Sequence, residues 1–182
     1  MKKRILILSL LAVCLSLCIG GTLAYYTATD TARNVITAGN IKIELIETDA
    51  EGKPFENVSG VLPGAEVDKI VTVKNTSDNA CWVRISVEKE ISLAKEKSGT
   101  PDMSFLEIDF NTVNWTEKDG YFYYNEKLNP GETTKPLFTT VTFNATMDNL
   151  YAGCTASVSV FAQAVQCANN GHSALTAAGW PV

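Results

Sequence analysis

Histidine is almost missing from this chain of 182 residues, where His172 is the only one. Zinc peptidases of the usual kind place two histidines one helical turn apart beside a glutamate base, so H-E-x-x-H chemistry is excluded. No C-x-x-C pair occurs either. A zinc site would have to combine Cys81, Cys154, Cys167 and His172, and their spacing matches no zinc module. There is no G-x-S-x-G elbow, no glycine-rich phosphate loop and no calcium loop. His172 itself sits in Asn169-Asn170-Gly171-His172, which reads as a solvent loop. Glu107 and Asp109 share a strand face, but alternation makes it the solvated one. No catalytic residue, metal or cofactor is therefore expected.

Long apolar runs are equally scarce. The single one, residues 5–19, follows Lys2, Lys3 and Arg4 and precedes the small residues of Thr22-Leu23-Ala24. That order is the order of a secretory signal peptide, with cleavage expected between Ala24 and Tyr25. The run falls short of the ~20 residues that a permanent membrane helix needs. Cys14 and Cys18 leave with the signal, and Val13 and Leu17 before them do not suit lipidation. The membrane is expected as a partner only through the signal before cleavage.

Basic charge is the minority. The chain has 15 basic and 20 acidic residues, and three basic ones lie in the signal, leaving 12 against 20, or −8. An acidic secreted domain is not expected to bind nucleic acid or anionic lipid. Removing 24 residues from 182 leaves 158, the size of one globular unit. The reading divides the chain into a signal peptide at 1–24, an extended segment at 25–40 and one domain at 41–182.

What is abundant is β pattern. Ile41, Ile43 and Leu45 alternate with Lys42 and Glu44, and Val83, Ile85 and Val87 alternate with Arg84, Ser86 and Glu88. Leu106, Ile108 and Phe110 form a third run, and Val158, Val160, Ala162 and Ala164 the longest. Residues 67–74 and 137–143 complete the set. Leu62-Pro63-Gly64 and Asn129-Pro130-Gly131 are turn signals, and Asp119-Gly120 closes a hairpin between Trp115 and Tyr121. Only residues 91–97 suggest a short helical turn. The fold class is all-β, with two antiparallel sheets packed face to face. The aromatic hairpin of Trp115, Tyr121, Phe122, Tyr123 and Tyr124 reads as core, with a carbohydrate-stacking platform as the alternative.

Gly20-Gly21-Thr22-Leu23-Ala24-Tyr25-Tyr26-Thr27, followed by Asn34-Val35-Ile36-Thr37-Ala38-Gly39-Asn40-Ile41, resembles the junction of proteins exported through a SipW-type signal peptidase. These form the TasA/camelysin family of Gram-positive bacteria. Val73-Lys74-Asn75-Thr76, Leu128-Asn129-Pro130-Gly131-Glu132-Thr133 and Ala164-Val165-Gln166 are also similar to it. The resemblance implies a jelly-roll-like β-sandwich, secretion to the matrix or cell surface, and a subunit that self-associates into biofilm fibres or joins related matrix subunits. A monomeric adhesin or carbohydrate-binding module is the alternative. A camelysin-like metallopeptidase comes third, since the residue inventory opposes it.

Two further expectations follow. Cys154 and Cys167 flank one strand and, at about 3.3 Å per residue, lie beyond the ~7 Å Cα limit for a disulfide. In a jelly roll the strand opened by Cys81 lies antiparallel to that strand, so the expected pair is Cys81–Cys167, with Cys154 free. The segment from Tyr25 to Asn40 has only two charges, Asp30 and Arg33, and is a candidate donor strand for a second molecule. Its alternate residues Ala28, Asp30, Ala32 and Asn34 would form one face and Thr27, Thr29, Thr31 and Arg33 the other, with Tyr25 and Tyr26 preceding them in the assembly segment.

Overall fold

Alternating apolar residues build ten strands in the computed structural model, which describes residues 35–37, 40–56 and 62–181. In chain order they are β1 (Val35–Thr37), β2 (Ile43–Thr48), β3 (Glu66–Asp68), β4 (Ile70–Asn75), β5 (Cys81–Ser92), β6 (Leu106–Ile108), β7 (Trp115–Lys118), β8 (Tyr121–Tyr124), β9 (Thr140–Phe143) and β10 (Thr155–Gln166). The described helical pieces are single 3-10 turns at Met103–Phe105, Asn149–Tyr151 and Ala174–Thr176. The protein is all-β, as its periodicity dictates. The signal and most of the 25–40 segment lie outside the described residues.

One layer is a five-stranded sheet in the order β1-β10-β5-β8-β7. Its centre is the antiparallel pair β10–β5, in register over twelve residues from Thr155↔Ser92 to Gln166↔Cys81. The other layer combines β2–β4 with β3-β9-β6. Backbone bonds from Leu137 N–H to Val71 O (2.9 Å) and Val71 N–H to Phe138 O (3.1 Å) join these pieces. Against the antiparallel expectation, β1 runs parallel to β10, pairing Val35 with Ala162 and Thr37 with Ala164.

The core is where the inward positions of both layers meet. Val71 and Val73 of β4, Val83 and Ile85 of β5, Val141 of β9 and Val160 of β10 all belong to it, with Leu137 and Phe138 from the connection before β9. Fully burying one such side chain contributes roughly 1.5–3 kcal/mol. Turn chemistry acts as the sequence suggests at Asp119-Gly120, where both residues have positive φ (52° and 79°). That pair of signs is what a two-residue hairpin turn between twisted strands requires. Residues 91–97 differ from expectation. Ile91 is 2 % exposed because β5 continues to Ser92 opposite β10, and the turn comes only at Ala94–Lys97. The tertiary partner outweighs local helix propensity there.

Candidate functional site

The most unusual feature of the architecture is the outer edge of β10. Along one side β10 pairs with β5 throughout; along the other, β1, whose described residues begin at Val35, pairs with Ala162, Gln163 and Ala164. Residues 155–161 have no ladder partner on that side among the described residues. Ala156 and Val158 point into the core, whereas Thr155 and Ser157 are exposed. Among the described residues this half-buried stretch has one side of its main chain left for a further strand, the arrangement on which strand addition builds. The opposite edge of the sheet is short. In β7, Glu117 and Lys118 are exposed, and charges of this kind discourage edge pairing.

β1 also fixes a side-chain parity. Val35 packs against the core and Ile36 is 51 % exposed. The assembly-segment residues Tyr25, Tyr26, Ala28, Asp30, Ala32 and Asn34, and the Ala24–Tyr25 cleavage site, lie outside the described residues.

The structure leaves the expected Cys81–Cys167 pair unbonded. β5 and β10 are antiparallel as supposed, but Cys81 stands opposite Gln166, and Cys167 bonds one step further on, its N–H to Ala80 O at 3.0 Å. Cys81 points into the main core while Cys167 packs against a second cluster with Trp82 and Val165. Cys81, Cys154 and Cys167 are all free thiols. Burial, reinforced by Cys167, pushes the Cys81 thiol up to about 12. Burial likewise raises Cys167 to about 11, with Lys127 pulling the other way.

The aromatic hairpin divides between two faces. Trp115, Phe122 and Tyr124 belong to the main core, with the Trp115 indole N–H donating to Lys135 O at 3.1 Å. Tyr123 packs on the outer face of the sheet with Trp82, Val165 and Ala174. Residues 168–181 cross that face as a strap, a feature the alternation pattern missed. It assigns Trp82 and Arg84 to solvent; a tryptophan at an outward position was the clue that something covers it. Arg84 is 9 % exposed. Its guanidinium lies 3.8 Å from the Tyr121 ring centre and 4.6 Å from that of Trp180. His172, on the strap's first turn, is exposed, as the loop reading expects.

Asp109, also exposed, uses its carboxylate structurally. It accepts from Thr139 N–H (2.9 Å), the Thr139 hydroxyl (2.6 Å) and Thr140 N–H (2.7 Å). Burial alone would raise its pKa, but these bonds outweigh that effect and hold it below the ordinary carboxylate value.

The sequence profile of the camelysin metallo-endopeptidase family matches residues 1–157. The chain belongs to the camelysin family. No characterised protein and no solved structure matches it. Metallo-endopeptidase chemistry would need a metal centre, and the camelysin-family chain offers a poor donor set for one. Its lone histidine is exposed on a loop, Cys81 and Cys167 pack in different clusters, and Cys154 stands at the other end of β10. Among the described residues no three His, Cys, Asp or Glu side chains gather as metal ligands would. No mechanistic step is assigned to a metal here.

Proposed function

We propose that this chain is a secreted, non-enzymatic structural subunit of extracellular matrix or biofilm fibres. A SipW-type signal peptidase releases it after Ala24, and it then assembles by β-strand exchange with copies of itself or related subunits. The observation that carries the reading is the parallel pairing of β1 on β10, which among the described residues leaves residues 155–161 without a ladder partner on that side. Seven residues, 28–34, precede β1 in the sequence. A strand continuing the Val35↔Ala162 register would set 34 against 161 and 28 against 155, matching that stretch. In the fibre, that strand comes from the next molecule. Head-to-tail addition of this kind is heterologous and does not close, so it extends into filaments.

The family's description names a metallo-endopeptidase, and that reading is weighed here against the residues. The donor set described above favours the structural role. The carbohydrate-platform alternative loses support because Trp115, Phe122 and Tyr124 are at most 8 % exposed. Electron microscopy of the mature chain tests the proposal: filaments are expected, and a deletion of residues 25–33 should yield a folded monomer that forms none. Proteolysis by pure protein that a chelator abolishes would overturn the non-enzymatic reading.

A further inference from the structure

Side-chain hydrogen bonds hold the strap over the outer sheet face. It forms no strand; side chains of the sheet grip its main chain instead. Trp82 Nε1–H donates to Asn170 O at 2.8 Å, and Arg84 Nη2–H donates to Pro181 O at 3.3 Å. Between these two anchors the Trp180 ring sits over the Arg84 guanidinium and meets Tyr123 edge-on at 5.8 Å. Reading carbonyls at both ends and an aromatic ring between them is how grooves recognise extended peptides.

Arg84 is the telling residue. It is nine-tenths buried, and no carboxylate bonds to it among the described residues. Its remaining bonds go to Gln163 Oε1 (2.7 Å) and the Tyr123 hydroxyl (3.3 Å). Removing a charge from water is costly, and an apolar residue of similar size would serve mere coverage as well or better. A guanidinium here instead provides a flat cationic surface for an aromatic ring and a fork of donors for carbonyls. The strap also depends on a single turn. Gly171 has φ +66°, and a Cβ there would lie 2.9 Å from the backbone of Thr176 and Ala177. The turn is thus a local device that sets the strap without contributing to the groove. The family match ends at residue 157, ahead of all of the strap.

We propose that the outer face of the five-stranded sheet is a peptide-binding groove selective for an aromatic side chain, and that the chain's own residues 170–181 are its resident ligand. Trp82 and Arg84 read the main chain, and Arg84, with Tyr121 and Tyr123 beside it, forms the aromatic slot. A tethered ligand acts at an effective concentration in the millimolar range, so a free peptide competes poorly until the strap is loosened.

The test uses the full chain and a fluorescein-labelled peptide of residues 170–181, followed by polarisation. Trp180→Ala weakens the resident ligand, and the labelled peptide should bind this variant at least tenfold more tightly than wild type. Gly171→Ala, which disturbs only the turn, should do the same with every groove residue intact. Adding Arg84→Gln, or replacing the peptide's tryptophan with alanine, should abolish that gain. Hydrogen exchange on the wild-type chain supplies a readout independent of the variants. Strap amides should exchange through local opening, well before those of β5. The proposal is overturned if neither folded variant binds the peptide better than wild type, if Arg84→Gln leaves binding intact, or if the strap exchanges only with global unfolding.

Discussion

Replacing Trp115 with alanine separates a buried core hairpin from a sugar-stacking surface. The indole is 1 % exposed, donates to Lys135 O at 3.1 Å and lies 5.0 Å from the Tyr124 ring at a 54° tilt. Truncation removes the transfer energy of a large ring, leaves a cavity, and deprives a carbonyl of its donor. Tryptophan-to-alanine changes in cores cost about 3–5 kcal/mol, out of a total stability of ~5–15 kcal/mol for a domain. Trp115→Phe keeps most of the volume and should recover more than half of the loss. The assay is urea unfolding with the slope held constant between variants, so that the midpoint reports stability. A loss below about 1 kcal/mol, in the range of surface substitutions, would refute the packing argument and return the ring to the solvent face.

The thiols make a second prediction: alkylation of the unfolded, unreduced mature protein should modify Cys81, Cys154 and Cys167, and recovery of a linked Cys81–Cys167 peptide would refute the face assignment. Their titration gives stability a sign at high pH. Cys81 and Cys167 ionise at about 12 and about 11 when folded against an ordinary 9.0, so stability is full below 9 and falls as pH rises towards 12, a decline that a Cys81→Ala, Cys167→Ala double variant should flatten. Asp109 acts in the opposite direction: its depressed pKa adds stability above the ordinary carboxylate value that is lost as pH falls through the folded one, and Asp109→Asn should remove that part of the acid transition in a pH titration followed by circular dichroism. Lys69 and Glu47 form a 3.0 Å pair with Lys69 also stacked 4.2 Å over Phe55, so Glu47→Ala, which strands a buried cation, should cost up to about 3 kcal/mol in urea unfolding, whereas Lys69→Met should cost less.

Period-two alternation exposed most of the sandwich because each strand has one buried face. Val83 and Ile85, and Val160, Ala162 and Ala164, stand on the core side as their spacing requires. The same rule failed where a strand is buried on both faces. Trp82, Arg84 and Gln163 sit at outward positions, and nothing local tells that residues 168–181 fold back over them. Register was the other gap. The antiparallel partnership of β5 with β10 was legible, but a disulfide depends on a single residue of register, which strand pattern leaves open. The parallel placement of β1 on β10 could not be read at all, since which strand lies beside β10 is a fact of topology.

The central claim is that a strand from one molecule completes the edge of the next. Electron microscopy and sedimentation of the mature chain beginning at Tyr25, beside the same chain lacking residues 25–33, measure it most directly. The account predicts filaments from the first and only folded monomers from the second. Filaments from the truncated chain, as abundant as those of the mature one, would contradict it.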